Sequence, residues 1–172
     1  KFIRIFYFFA RTADDIADHE KLKPAEKLKI LNFFDDSIKR EKKTDLIVIN
    51  NLVRSFKKIG FAKEYSRDLL KAFKLDAKKK RYKNWAELIY YCKYSANPVG
   101  RFFVDLCYQK KKKKLINRKK ILSASDNLCT SLQIINHLQD CKDDYKKNNR
   151  IYLPDSLFKK YSIDISSLNQ KK

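Results

Sequence analysis

The sequence predicts a single all-α domain, and three observations support this. The chain has 172 residues, which is the usual size of one domain. It contains only two glycines and three prolines, the residue types that most often interrupt helices. Hydrophobic residues make up 44% of the chain, which is enough for a packed core. Because no run of about 18 apolar residues occurs, no membrane-spanning helix is predicted.

The first half of the chain divides into four predicted helices. Residues 2–20 read as one helix with a broad aromatic face, and a proline at position 24 suits the start of a second helix over 24–38. Two amphipathic helices are expected at 45–59 and 62–75. Gly60 lies between them, where a helix can end in a left-handed conformation.

The second half is also predicted to be helical. Residues 85–108 form a mostly helical segment with a kink or break near Pro98, because proline lacks the backbone N–H that a helix needs. Residues 117–146 are predicted to form one long helix. The following stretch, NNRIYLP, reads as extended or irregular, and no internal repeat at a solenoid period is present.

The chain is strongly basic, with a formal net charge of +21. Such a charge suits nucleic acid, anionic lipid or an anionic substrate. The lysine-rich stretches at 78–81 and 110–114 are interpreted as solvated loops. The four cysteines form no CxxC pair, so reduced thiols in a cytoplasmic protein are expected.

Two acidic stretches stand out against this basic background. The first, FARTADDIADHE, covers residues 9–20. On a helix, Tyr7, Arg11, Asp14 and Asp18 share one face, and Asp15 is rotated away from it.

The second acidic stretch begins at residue 136 and reads NHLQDCKDDYKKNNRIYLP. Helical spacing places amide and carboxylate side chains on one face of it. This face comprises Gln133, Asn136, Asp140 and either Asp143 or Asp144. His137 lies one step from the centre of the stripe, and a packing role is expected for it rather than a ligand role.

The composition of both stripes suits a hard divalent cation. Magnesium prefers oxygen ligands and usually keeps water or phosphate oxygens among them. Two facing acidic helices would therefore hold it together with a phosphorylated ligand, whose oxygens Arg11, Arg150, Tyr7 and Tyr152 could contact. The alternative is that these acids are solvated or paired with lysines. Binding to nucleic acid would leave both acidic stripes unexplained, so no nucleic-acid partner is expected.

Three segments carry a family resemblance. YFFARTADDIAD, YCKYSANPVGRFF and SDNLCTSLQIINHLQDCKDDYKKNNRIYLP together resemble the squalene/phytoene synthase family of trans-isoprenyl diphosphate enzymes, in the family's order. Within that family, SANPVGR and NHLQDCKDDY look most like the bacterial hydroxysqualene synthases of the hopanoid pathway.

The resemblance implies the isoprenoid synthase fold, with helices around a central cavity, and it implies roles for particular residues. The implied metal ligands are Asp14, Asp18, Asn136, Asp140 and Asp144. The implied diphosphate contacts are Tyr7, Arg11, Gln133, Arg150 and Tyr152. Tyr91 matches a tyrosine that faces the reacting cation, and with Arg11 and Tyr7 it makes up the expected catalytic set.

The implied reaction is the magnesium-dependent ionisation of an isoprenoid diphosphate. In the hydroxysqualene branch, water converts presqualene diphosphate to hydroxysqualene, and no reductant is needed. The alternative is head-to-head condensation of two farnesyl or geranylgeranyl diphosphates. The expected apolar cavity walls are Tyr91, Phe102, Phe103, Leu128 and Leu132.

The resemblance also bears on the extent and location of the protein. Residues 1–172 read as one partial domain that lacks the family's helices before the first motif and after residue 160. The cavity of this chain is therefore expected to be open, and the chain alone is not expected to be a complete enzyme. The expected location is the cytoplasm, with peripheral association at the inner face of the cell membrane as a hypothesis that follows from the lysine excess.

Overall fold

A computed structural model describes residues 1–110 and 117–169, and every regular element in that part of the chain is helical. The predicted all-α class is thus confirmed. The helices are α1 (Phe2–Asp18), α2 (Pro24–Arg40), α3 (Ile47–Ile59), α4 (Lys63–Asp76), α5 (Trp85–Ser95), α6 (Asn97–Lys110), α7 (Arg118–Gln139), α8 (Cys141–Asn148) and α9 (Asp155–Lys160), followed by a short 3₁₀ helix (Ile165–Asn169). Of the lysine run predicted as a solvated loop at 110–114, Lys110 ends α6, and the other lysines lie outside the described residues.

The main core is formed where α1, α2, α3, α4 and α6 meet. Phe9, Leu52 and Leu70 are completely buried there. The rings of Phe6 on α1 and Phe102 on α6 stack with centroids 4.1 Å apart and planes 7° from parallel. This core fixes α1, and therefore the first acidic stretch, against the rest of the molecule.

Local capping explains several helix boundaries. The Glu26 carboxylate accepts a hydrogen bond from the backbone N–H of Lys23 at 2.7 Å, which satisfies a donor at the start of α2. The Asn84 side chain accepts from the N–H of Glu87 at 3.1 Å at the start of α5. Gly60 ends α3 with a φ of 71°, a conformation that glycine adopts at little cost, as predicted.

The predicted interruption near Pro98 is confirmed. Helix α5 ends at Ser95 and α6 begins at Asn97, so that Pro98 lies in the first turn of α6, where its missing N–H is tolerated. Two residues later, Gly100 allows α6 to lie very close to α7. A Cβ atom at position 100 would be 2.5 Å from both the Cys129 Sγ and the Ser125 Oγ.

The prediction of one continuous helix over 117–146 is wrong. The chain turns at Asp140, which has φ −91° and ψ 0°, and α7 and α8 lie on either side of it. The backbone hydrogen bonds continue through the turn, since the Asp144 N–H donates to the Asp140 carbonyl at 2.8 Å. Asn136 therefore belongs to α7 and Asp144 to α8, with Asp140 at the bend between them.

Helix α7 is covered on one side only. It packs on α5 and α6, yet His137 is its one buried residue. Its opposite side is apolar and exposed, with exposed fractions of 50–62%. These exposed residues are Leu128, Leu132, Ile135 and Leu138. Over the residues that the structure describes, no helix combines the length and apolar character needed to cross a bilayer.

Candidate active site

Arg150 connects the two acidic stretches. It follows α8 in the chain, and only 2% of its surface is exposed. Its Nη1 donates to the Oδ1 of Asp18, at the end of α1, over 2.8 Å. The same nitrogen donates to the Tyr152 hydroxyl at 3.0 Å. The predicted residues Asp18, Arg150 and Tyr152 thus lie together, although the chain separates them widely.

Asp76, the last residue of α4, lies directly behind Arg150 and is 3% exposed. One carboxylate oxygen accepts from the Tyr91 hydroxyl and the other from the Tyr152 hydroxyl, both at 2.8 Å. The backbone carbonyl of Asp76 accepts from Arg150 Nη2 at 2.9 Å. Asp76 therefore orients three side chains that sequence reasoning had placed at the site.

Aromatic rings enclose this arrangement. The Tyr82 ring is completely buried and stacks on Tyr152 at a centroid distance of 5.5 Å. The His137 ring also stacks on Tyr152, with ring centroids 3.7 Å apart and 18° between the planes. The packing role predicted for His137 agrees with this contact. We call Asp76, Tyr82, Tyr91, Arg150 and Tyr152 the buried cluster.

Burial sets the protonation of the cluster. It raises the pKa of Asp76 to about 7, against the lowering effect of Arg150 and of the two tyrosine hydroxyls. Burial also lowers the pKa of His137 to about 3, with Arg150 adding to the effect, so the imidazole is neutral at physiological pH. For Arg150, burial opposes the charged form, but Tyr152, Asp76 and Asp18 outweigh it and raise the pKa.

The first acidic stretch is more exposed than the cluster. Arg11 pairs with Asp14 at 3.4 Å and, more closely, with Asp15 at 2.9 Å. Although Asp15 is rotated off the face of Asp14 and Asp18, the long arginine side chain reaches it one turn away. Burial and the charge of Asp18 raise the pKa of Asp14 to about 6. Tyr7 lies on the same helix, 60% exposed.

The second acidic stretch also presents exposed oxygens. Asn136 and Asp140 are exposed, and Asp144 is half-buried. Burial raises the pKa of Asp144, and the negative charges of Asp140 and Asp18 raise it further. A carboxylate of the first stretch therefore affects the protonation of one in the second. Gln133 is directed at His137, with 3.0 Å between its Nε2 and the His137 Nε2.

Basic residues close to the site have bonding partners within the protein. Lys79 donates to Glu87 at 2.7 Å and lies over the Tyr82 ring, so the solvated reading of 78–81 is wrong for it. Arg81 donates to the Asn149 side chain at 2.7 Å and so ties this segment to the end of α8. On the other side, Lys27 is buried and donates to the carbonyl of Ala17 at 2.7 Å, one residue before Asp18.

The expected apolar walls divide into two groups. Phe103, Leu128 and Leu132 are 52–61% exposed and remain available to a ligand. Phe102 does not, because it is 3% exposed and stacks on Phe6 inside the main core. Tyr91 is buried as well, with its hydroxyl on Asp76, so the prediction that it faces a reacting cation stays a prediction.

The oxygen donors fit magnesium in kind, since carboxylate and amide oxygens are its preferred protein ligands. Within residues 1–110 and 117–169, however, no three His, Cys, Asp or Glu side chains are close enough to form a metal site by themselves. Additional oxygens from water or phosphate would be needed, which is the usual situation for protein-bound magnesium.

Sequence reasoning missed Asp76 and Tyr82. A signal for Asp76 did exist, because Leu69, Phe73 and Asp76 follow the i, i+4, i+7 spacing of the buried face of α4. An acid on such a face must be paired with buried donors. No comparable pattern marks Tyr82, whose burial depends on the chain returning at residue 152.

Comparison with known proteins defines the class of protein. The family-wide sequence profile of squalene/phytoene synthases matches residues 3–172, and the chain belongs to this family. The chain is 40% identical to the hydroxysqualene synthase of Rhodopseudomonas palustris over 170 residues, which are 99% of this chain and 55% of the relative. It is 33% identical to phytoene synthase 1 of Solanum lycopersicum over 88 residues, 51% of this chain and 21% of the relative.

Solved structures agree with this assignment. The squalene synthase HpnC from Alicyclobacillus acidocaldarius superposes with a TM-score of 0.77 at 25% identity, over 95% of this chain and 59% of that protein. A dehydrosqualene synthase superposes with a TM-score of 0.80 at 23% identity, over 99% of this chain and 57% of that protein, which supports the fold alone. The predicted isoprenoid synthase fold is confirmed. The chain spans about half the length of the hydroxysqualene synthase and of the two solved structures.

Proposed function

We propose that the protein is a magnesium-dependent hydroxysqualene synthase that converts presqualene diphosphate and water to hydroxysqualene and diphosphate. In this reaction the carbon–oxygen bond to the diphosphate breaks and the bond pair leaves with diphosphate. Water then forms a new carbon–oxygen bond to the rearranged cation and releases a proton. No oxidant or reductant is required.

The observation that carries the proposal is the contact between Arg150 and Asp18. It anchors the first acidic stretch to the last part of the second one, beside a buried cluster that holds Arg150 in place. A fixed cation next to exposed carboxylates suits a diphosphate that arrives with its metal.

The residues of the site have different proposed roles. Asp14, Asp18, Asn136, Asp140 and Asp144 would hold magnesium, which when bound supplies positive charge that stabilises the departing diphosphate. Arg11 and Arg150 would donate to diphosphate oxygens, with Tyr7, Gln133 and Tyr152 as further expected contacts. Asp76 keeps Arg150 and Tyr152 in position, so that little reorganisation is needed when charge develops.

The exposed apolar residues provide the other half of the site. Phe103, Leu128 and Leu132 form a surface that suits a long hydrocarbon chain. Such a surface keeps water away from a carbocation until it rearranges, and an aromatic face stabilises a cation by roughly 0.5–2 kcal/mol. Similarity over nearly the whole chain to a hydroxysqualene synthase favours presqualene diphosphate as the substrate.

A product assay on the full-length protein tests the proposal. Purified protein with magnesium receives presqualene diphosphate in one reaction and farnesyl diphosphate in another, and the products are identified by mass spectrometry. We expect a hydroxylated C30 alcohol from the first reaction only. Formation of presqualene diphosphate or a C30 hydrocarbon from farnesyl diphosphate would instead support head-to-head condensation, which the shorter similarity to a phytoene synthase represents.

Matched variants identify the residues responsible. Asp14→Asn removes a proposed metal ligand, whereas Asp36→Asn removes an exposed acid on α2, away from the site. We expect turnover to be lost in the first variant and retained in the second. Equal turnover in both variants would remove the metal assignment.

A further inference from the structure

A groove lies between α1 and α3, on a different face of α1 from the candidate active site. It has a volume of about 330 Å³ and mostly apolar walls. Its lining residues are Ile5, Phe8, Thr12, Ile47, Val48 and Asn51. An adjoining cavity shares Ile5, Phe8 and Asn51 and adds Arg4 and Lys1 at its edge. We call these residues, with the preceding Leu46, the α1–α3 surface.

The apolar side chains of this surface are unusually exposed. Ile47 is 75% exposed, the largest value among the exposed large hydrophobic residues of the described chain, and Phe8 is 55% exposed. Leu46 is 37% exposed beside them. A contiguous exposed apolar patch with a polar rim is typical of a surface that contacts another molecule or a membrane.

Positive charge surrounds the apolar patch. Helix α3 contains no acidic residue, and its later turns carry Arg54, Lys57 and Lys58. Arg54 and Lys57 also line a small cavity with the exposed Lys42 and Lys43. Three acids are nearby. Glu41 is paired with Lys63 at 2.9 Å, and Asp15, one turn beyond Thr12 on α1, is paired with Arg11 at 2.9 Å. Asp45 is exposed, so positive charges outnumber negative ones on this surface.

The orientation of α1 leaves the candidate active site accessible. Phe8 and Thr12 line the groove, whereas Tyr7, Arg11 and Asp14 follow another stripe of the same helix. A partner at the α1–α3 surface would therefore lie beside the acidic stretches without covering them.

We propose that the α1–α3 surface docks on an anionic lipid bilayer, with Phe8, Leu46 and Ile47 entering the headgroup region. Apolar side chains inside a cationic rim are the usual composition of a surface that binds anionic lipid. The dense negative charge of a bilayer matches the cations of α3 and of residues 42–43. The inference extends the proposed function, because a substrate and a product with C30 chains partition into membranes. The docking itself does not depend on which isoprenoid is used.

Vesicle flotation with the full-length protein tests the docking. Vesicles of phosphatidylcholine alone are compared with vesicles containing one quarter phosphatidylglycerol, at low and at high salt. We expect flotation with the anionic vesicles only, and less of it at high salt. Ile47→Ser and the double substitution Lys42→Gln with Arg54→Gln should each lower the bound fraction at least fivefold.

Matched controls test whether flotation depends on this surface or on exposed apolar and charged residues in general. Phe33→Ser removes a 49% exposed aromatic side chain on α2, and Lys159→Gln with Lys160→Gln removes two charges from α9. Both controls should float like the unsubstituted protein. Absence of flotation, or equal losses in controls and variants, would overturn the proposal. So would unchanged flotation together with a loss of self-association in sedimentation velocity, since the surface would then be a protein interface.

The result of the flotation experiment can be distinguished from the result that tests the proposed function. Activity on presqualene diphosphate is measured in detergent micelles without vesicles. A surface variant that keeps this activity but no longer floats supports the docking. A protein that floats through this surface but does not turn over presqualene diphosphate also supports the docking, and contradicts the proposed function alone.

Discussion

The buried cluster and the acidic stretches lie side by side but differ in what satisfies their polar groups. In the cluster, the Asp76 carboxylate and the hydroxyls of Tyr91 and Tyr152 bond to each other away from water. In the acidic stretches, Asn136 and Asp140 point to solvent. The cluster is therefore organised by the chain alone, whereas the acidic stretches need a ligand to complete them. Stability and activity should accordingly respond to different substitutions.

The largest expected effect is on stability, from Asp76→Ala. The substitution leaves Arg150 buried with fewer partners and removes the acceptor of two tyrosine hydroxyls, which should lower the free energy of unfolding by about 3–5 kcal/mol. Urea unfolding of the full-length protein, followed by circular dichroism, measures it. Asp36→Ala, at an exposed position, should stay within about 0.5 kcal/mol. A loss below about 1 kcal/mol for Asp76→Ala would contradict the distinction between the two regions.

The next effect is on activity, from Asp140→Asn. Loss of one exposed carboxylate at the bend between α7 and α8 should lower kcat/KM about 10²–10³-fold, the range found when one group that stabilises developing charge is removed. The unfolding midpoint should hardly change, because Asp140 has no buried partner to lose. Steady-state kinetics and urea unfolding on the same preparation check both statements. A large stability loss would show that the acidic stretch is structural.

A smaller effect is expected from Gly100→Ala, where α6 lies against α7, the helix that carries Asn136. The new methyl group would lie 2.5 Å from the Cys129 Sγ and the Ser125 Oγ, so either these two side chains must rotate away or α6 and α7 must separate. Overpacking of this kind costs about 1–3 kcal/mol. Thermal unfolding measures it, with Gly60→Ala as the control for backbone strain in open space. Unchanged stability of Gly100→Ala would mean that Ser125, Cys129 or α7 makes room for the methyl group at no cost.

The smallest effect concerns pH. Because the pKa of Asp14 is raised to about 6, its carboxylate becomes protonated as the pH falls through 6, and a protonated carboxyl binds a cation poorly. Magnesium affinity, measured calorimetrically with inorganic diphosphate present, should therefore fall below pH 6 by up to about tenfold per pH unit. Asp14→Asn should make this dependence less steep. A pH-independent affinity in the unsubstituted protein would exclude Asp14 as a ligand.

The sequence predicted the exposed region better than the buried one. Helical spacing was enough to group Asp14 with Asp18 and Asn136 with Asp140 as candidates, since side chains one turn apart need no tertiary information. It could not show that Arg150 reaches Asp18, or that Tyr82 packs on Tyr152, because these contacts join distant parts of the chain.

The helix boundaries show the same limit. The break before Pro98 was predictable from the chemistry of proline, whereas the bend at Asp140 has no glycine or proline to mark it. The apolar residues of the middle segment were assigned to a cavity as a group. Only packing distinguishes Phe102, stacked on Phe6, from the exposed Phe103 next to it.

The ion pair between Arg150 and Asp18 also has a consequence for the order of folding. It joins residues 132 positions apart, so it closes a long loop, and such contacts form late and slowly. Helices α1 to α4 can pack while the chain is still being synthesised, but Arg150 must leave the ribosome before the two acidic stretches are joined. A nascent chain therefore carries its carboxylates apart from each other, and the complete acidic site appears only after nearly all of the described chain has been made.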